Sequence, residues 1–136
     1  MRIFLDANVL FSAAKSDGAV RQLLTWLEKS GHECCVDGYV IEEARRNLRA
    51  KAPDCVVTLE RILSRMKPAG AQRSGSAFEA SLPLPAKDRP VLAAAIHQGC
   101  GALVTGDRTH FGALNGRKIR GVTIHSPRSL AEALLL

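Results

Sequence analysis

Aromatic side chains are scarce in this sequence: one Trp, one Tyr and four Phe, 4% of its 136 residues. Stacking platforms of the kind found in RNA-recognition motifs and OB-folds need several aligned aromatics, so that mode of recognition is disfavoured. Long apolar runs are also missing; none approaches the roughly 20 residues needed to span a bilayer. The opening MRIFLDANVL carries an aspartate inside its short apolar stretch, which suits a first strand and makes a poor signal peptide. No membrane is therefore expected, and a cytoplasmic location follows by default. The four cysteines, Cys34, Cys35, Cys55 and Cys100, contain no CxxC pair, and the four histidines lack a spaced partner set. Zinc spacing is absent, and buried free thiols in a reducing compartment account for the cysteines. Any metal site must be built mainly from carboxylates, which favours hard ions such as Mg²⁺ or Mn²⁺.

What the chain does have is enough apolar material for a core. Hydrophobic residues make up 46% of it and mean hydropathy is +0.00. Its length is that of one domain, so residues 1–136 are read as a single unit with one core. Net charge is +6, from 19 Lys and Arg against 13 Asp and Glu. Such a balance suits a polyanionic partner without requiring one.

Along the chain, Arg2 to Leu5 is a short β-prone run ending in Asp6-Ala-Asn8. Asp17-Gly18 opens a helix in which Val20, Leu23, Leu24 and Leu27 recur at helical spacing, and Ser30-Gly31 closes it. Glu33 to Val36 reads as a second strand. Residues 39–51 carry one apolar stripe, Val40, Ile41, Ala44 and Leu48; after Pro53-Asp54 a further helix restarts with Val56, Leu59, Ile62, Leu63 and Met66. Residues 69–85, rich in Gly, Ser, Ala and Pro, show no period and are left open between loop, short strand and mobile segment. Pro90 to His97 is a helix with proline in its first turn. Ala102 to Thr105 and Val122 to His125 are strands, and Pro127 to Leu136 is a last helix. Short apolar strands alternating with helices predict an α/β fold of three layers, α/β/α, around a central parallel sheet of four to five strands. In such sheets ligands bind beyond the carboxyl ends of the strands, which is where Asp6 and Asp107 fall.

Each candidate acid has a bland reading beside the functional one. Asp6 interrupts an apolar run, where an unpaired charge is costly, but it could serve as a helix cap or turn residue. Glu42 and Glu43 compete for one role. At about 100° per residue, Glu42 lies on the side away from the apolar stripe, where it can pair with Arg45 and Arg46. Glu43 sits nearer the apolar edge, beside Asn47 one turn later, and is preferred. Asp88 precedes Pro90 at an expected N-cap, so capping alone could explain it. Asp107 follows LVTG at a strand end and could be a turn residue. A few convergent carboxylates suffice for Mg²⁺, and a cation would relieve their mutual repulsion.

FLDANVL at 4–10, EEARRNL at 42–48, KDRPVLAAAI at 87–96 and LVTGDRTHFG at 103–112 together resemble the PIN domain. That is the fold of many metal-dependent ribonucleases, including VapC-type toxins of toxin–antitoxin pairs. The resemblance covers nearly the whole chain and implies that Asp6, Glu43, Asp88 and Asp107 are the catalytic and metal-holding acids of an Mg²⁺- or Mn²⁺-dependent endoribonuclease. Asp6, Asp88 and Asp107 would hold the ion, with Glu43 acting directly or through water. By their positions Asn8 and Thr105 could support these acids or be a turn asparagine and a strand-end threonine; Lys87, Arg89 and Arg108 could contact RNA phosphates or be solvated surface, and His110 could contact RNA or pack structurally. Relatives often carry a further aspartate in a D-x-D-F pattern. Here the stretch is Asp107-Arg108-Thr109-His110-Phe111, which implies one tight metal and a weaker second. The resemblance further implies a small antitoxin partner, for which the basic Arg45, Arg46 and Arg49 offer one surface, and a homodimer. Two alternatives are a non-catalytic RNA-binding or scaffold protein of the same fold and a haloacid dehalogenase-like phosphatase. The latter wants a second aspartate where Asn8 stands.

Overall fold

A computed structural model describes residues 1–69, 76–86, 88–107, 111 and 114–135. Its strands are β1 (Arg2–Leu5), β2 (Glu33–Asp37), β3 (Lys67–Ala69), β4 (Ala102–Val104), β5 (Lys118–Ile119) and β6 (Val122–His125). Its helices are α1 (Ala7–Lys15), α2 (Ala19–Lys29), α3 (Gly38–Lys51), α4 (Val56–Leu63), α5 (Ser76–Ala80), α6 (Arg89–His97) and α7 (Pro127–Leu135), with a 3-10 turn at Pro53–Cys55.

The strands form one sheet in the order β3-β2-β1-β4-β6-β5. The first five run parallel; β5 joins the edge antiparallel to β6. Ile3, Phe4 and Leu5 on β1, Cys34, Cys35 and Val36 on β2, and all three residues of β4 are buried. Consecutive burial means that both faces of the sheet are covered, the condition for a parallel sheet with helices on either side. The parallel α/β architecture expected from the sequence is thus present, with five parallel strands. The sixth, antiparallel strand was not expected. It is two residues long and is joined to β6 by a tight turn, Arg120-Gly121, in which both residues have positive φ (49° and 88°). That geometry twists with the strands and closes a two-residue hairpin.

Two further differences concern local structure. Residues 7–15 form a helix where only an apolar stretch after a turn was read. Of the undecided residues 69–85, Ala69 ends β3 and Ser76–Ala80 form α5, while residues 70–75 lie outside the described part. Pro68 is tolerated in β3 because that strand is an edge, pairing only with β2.

The strand order positions the site. From β1 the chain moves outward through β2 to β3, then returns to lay β4 on the other side of β1. The boundary between β1 and β4 is therefore the topological switch point, where the loops leaving neighbouring strands diverge and open a crevice at the carboxyl edge.

Candidate functional site

Asp6 stands at that switch point, between the last residue of β1 and the first of α1. Its backbone N–H donates to the carbonyl of Val104 at 3.0 Å, tying it to the end of β4. It is the N-cap of α1: Oδ1 accepts from the Ala7 N–H at 2.7 Å. Oδ2 accepts from the Thr105 hydroxyl at 2.8 Å. Asp6 is therefore a helix cap that also lines a cleft.

Asn8 and Thr105 brace the ends of β1 and β4 against each other. Asn8 Oδ1 accepts from the Gly106 N–H at 2.8 Å, and its amide nitrogen lies 3.3 Å from the Thr105 hydroxyl and 3.4 Å from Asp6 Oδ2. The Thr105 oxygen also accepts from the Asp107 N–H at 3.1 Å. One hydroxyl therefore orients Asp6 and fixes the backbone that carries Asp107. A Cβ at position 106 would meet Asn8 Oδ1 at 3.4 Å, ordinary contact distance, so Gly106 is not required for space.

A cleft of about 200 Å³ opens over this corner, lined by Asp6, Asn8, Tyr39, Glu43, Asn47, Asp88 and Asp107 among others. The four acids come from four separate segments: the end of β1, α3, the start of α6 and the loop after β4. Glu43 and Glu42 separate as the helical wheel anticipates. Glu43 lines the cleft, whereas Glu42 is exposed and pairs with Arg45 at 3.7 Å and Arg49 at 3.4 Å. Asp88 occupies the N-cap position of α6 yet makes no capping hydrogen bond, so capping does not account for it. Asp37, at the end of β2, is the contrast: it is buried, caps α3 through the Val40 N–H at 3.1 Å and does not line the cleft.

Tyr39 belongs to the lining too, with Glu43 and Asn47 after it at four-residue steps on one face of α3. The spacing was legible in the sequence, but a lone tyrosine gave no reason to look. Arg89 is partly buried and its Nε donates to the Leu84 carbonyl at 2.7 Å, so that atom is spent on the backbone. Arg45 is held by Glu60 at 2.6 and 3.0 Å, and with Arg49 already on Glu42 much of the expected basic face of α3 is neutralised internally. Lys87, Arg108 and His110 lie outside the described residues.

The electrostatics follow from crowding. Burial pushes the Asp6 carboxyl up from 3.8 to about 6; the hydrogen bonds from Thr105 and Ala7 pull the other way, and the charges of Glu43 and Asp107 raise it further. The Tyr39 phenol is raised above its usual range by burial first, then by Glu43, Asp88 and Asp6, with Arg46 opposing. All four acids are thus close enough to act on one or the other of these two groups.

In kind, the donors fit a hard divalent ion, since the lining offers carboxylate, amide and hydroxyl oxygens. In placement, they line the cleft without converging: among the described residues, no three His, Cys, Asp or Glu side chains form a ready-made metal cluster. Carboxylates repel one another when nothing lies between them, and a site that favours a proton on Asp6 near pH 6 would also be relieved by a cation. A hollow of about 250 Å³ between α2 and α4, with Leu24, Ile62 and Met66 in its lining, contains none of the four acids.

An α/β protein with an acid-lined cleft at its switch point is the class that this geometry defines. A family model for the PIN domain matches residues 2–109, and the chain belongs to the PIN-domain family. No curated protein matches the chain. Among solved structures, it is similar to a chain of VapBC2 from Rickettsia felis, crystallised bound to a DNA fragment from their promoter. There the identity is 17% and the TM-score 0.69, over 93% of this chain and 98% of that one. It is also similar to PAE2754 from Pyrobaculum aerophilum, with 20% identity and a TM-score of 0.64 over 99% and 98% of the two chains. At these identities the likeness is one of fold.

Proposed function

We propose that this chain is a metal-dependent endoribonuclease and the toxin of a toxin–antitoxin pair. The observation that carries the reading is the cleft itself, which four carboxylates from four segments line at the switch point of a PIN-family sheet. Asp6, Asp88 and Asp107 would hold an Mg²⁺ or Mn²⁺ ion, with Glu43 reaching it directly or through water. When bound, such an ion polarises a phosphodiester and makes a neighbouring water a better nucleophile. Thr105 and Asn8 keep Asp6 from rotating out of the cleft. Tyr39, whose phenol is raised by burial first and by the neighbouring acids second, lines the same cleft beside Glu43. The net charge of +6 favours the approach of RNA to an otherwise acidic site. An antitoxin partner is proposed by analogy with the Rickettsia felis complex; co-expression and co-purification with the product of an adjacent small reading frame tests it.

Glu42 and Glu43 provide an internal control. Glu43→Ala is expected to lower metal-dependent RNA cleavage on the order of tenfold to a hundredfold, as losses around metal sites do. Glu42→Ala removes exposed ion pairs only and should leave cleavage intact, at a stability cost of about 1 kcal/mol or less. Parallel time courses on a labelled single-stranded RNA, with Mn²⁺ or with EDTA, check both; equal losses in the two variants would contradict the assignment. Asn8→Ala, which unties the ends of β1 and β4, is expected to cost about 10–100-fold in metal affinity or activity. The decisive arm is the concentration of Mn²⁺ giving half-maximal cleavage, which should rise.

A further inference from the structure

Beside the acid cleft lies a larger hollow of about 530 Å³. Asp107 lines both, and Thr105, which donates to Asp6, lines the hollow, so the two are adjoining parts of one surface. Its volume falls in the range of sites that take small organic ligands. Phe111 and Ile124 are buried beneath it, and Pro127 adds the first residue of α7. Beside Thr105, Asp107 and Arg128, its polar side chains are those of Asn115, His125 and Ser126.

These polar groups are held by a small network at the start of α7. Ser126 and Ser129 cap each other, each backbone N–H donating to the other's hydroxyl at 3.0 Å. The Ser129 hydroxyl lies 3.0 Å from His125 Nδ1 and 3.3 Å from Asn115 Oδ1, and Asn115 Oδ1 also accepts from the Ser126 N–H at 3.1 Å. With Nδ1 and Oδ1 so occupied, the atoms left to face a ligand are His125 Nε2 and the Asn115 amide N–H₂. Neither has a hydrogen-bond partner among the described residues. Burial lowers the His125 pKa below its usual value, so the ring is neutral at pH 7. Arg128 is already paired with Glu132 at 3.0 Å, and Asp107 is part of the lining, so the hollow is poorly suited to a free anion.

An apolar floor with neutral hydrogen-bonding groups at one side is complementary to a flat heteroaromatic ring. Single-stranded RNA offers such rings, because its bases can be splayed out and read along their edges. We propose that this hollow is a base-specific subsite, taking the nucleobase of a nucleotide that flanks the scissile phosphate, with Asn115 and His125 reading its edge. The assignment rests on the nuclease reading, since only then does the adjoining acid cleft hold a scissile phosphate.

The test is to cleave a single-stranded RNA library with Mn²⁺, sequence the new ends, and compare wild type with Asn115→Ala, His125→Ala and His125→Gln. Wild type should show a base preference at one position beside the cut. Asn115→Ala and His125→Ala should still cleave, more slowly, with that preference reduced about three- to tenfold, the worth of one hydrogen bond. Gln at 125 should restore part of it. Because Asn115 is exposed, its variant keeps the test valid if changes on β6 destabilise the sheet. Cleavage with an unchanged preference in both alanine variants, or a wild type indifferent to flanking bases, would overturn the subsite and leave the nuclease reading standing. No metal-dependent cleavage by wild type would overturn both.

Discussion

Asp6→Asn is expected to reduce metal-dependent RNA cleavage by about a thousandfold or more, while the variant folds and melts no lower than wild type at neutral pH. Loss of a ligand that positions a catalytic ion removes several kcal/mol of transition-state stabilisation, and each 1.4 kcal/mol is about tenfold in rate. The fold should tolerate the change because asparagine preserves the size of the side chain and one oxygen. That oxygen can still accept the Ala7 N–H that caps α1. The new amide group no longer accepts from the Thr105 hydroxyl or the Asn8 amide, a loss of about 1 kcal/mol per bond that is set against the removal of a buried charge. What disappears is a carboxylate that burial makes costly to ionise. A fluorescence-quenched RNA substrate with Mn²⁺ or EDTA reads the rate, and a thermal melt reads the fold. Undiminished, EDTA-sensitive cleavage by a folded Asp6→Asn protein would remove Asp6 from the mechanism.

How much of this was visible beforehand differs from element to element. The strands β1, β2, β4 and β6 announce themselves as short apolar runs bounded by turn residues, α2, α3 and α4 by a 3.6-residue stripe, and α6 by the proline in its first turn. Helix α1 does not. Ala7, Val9, Leu10, Ala13 and Ala14 are buried, and Phe11 packs against the same core between α2, α3 and α4, so its polar residues are too few to set a period. β3 and β5 are three and two residues long, and neighbouring strands decide that they are strands. The turn between β5 and β6 uses Arg-Gly where Asn-Gly is the usual signal, with Arg120 in the left-handed region. The Arg120 guanidinium lies 5.0 Å from the centre of the Phe78 ring and donates to the Ser81 hydroxyl at 3.2 Å, contacts that no local pattern reveals.

The site was legible to the extent that it sits on regular elements. Asp6 and Asp107 follow apolar strands, and helix periodicity alone turned Glu43 toward the sheet and Glu42 away from it. Asp88 required the resemblance, because an N-cap aspartate and a cleft aspartate look alike in sequence; the absence of a capping bond separates them only in three dimensions. Tyr39, Asn115 and His125 carry no motif. They matter because α3, the end of β6 and the turn before β5 bring them beside the acids, and that is a property of the sheet order.

Without divalent metal, the protein is expected to lose stability as the pH rises from about 4 to about 7, and to regain it when Mg²⁺ or Mn²⁺ is added. The Asp6 carboxyl is pushed up to about 6 in the folded protein, from the ordinary 3.8 that it keeps in the unfolded chain. Between those values the folded protein binds more protons than the unfolded chain, so stability falls with pH across that window. A shift of about two units corresponds to roughly 3 kcal/mol at most. Asp37, also raised by burial, acts in the same direction. His125 is lowered, so its unfolded form takes up the proton first and its contribution rises with pH. Subtracting the profile of Asp6→Asn from that of wild type isolates the Asp6 part, since both variants share Asp37 and His125. In EDTA the difference should grow steadily above pH 4 and level off near pH 7, with wild type the less stable. With millimolar Mn²⁺ at pH 7.5 wild type should gain in melting temperature as binding to the folded form stabilises it, and Asp6→Asn should gain little. Superimposable profiles in EDTA, or equal gains with Mn²⁺, would show that the buried charge of Asp6 is not what the cleft is built to neutralise.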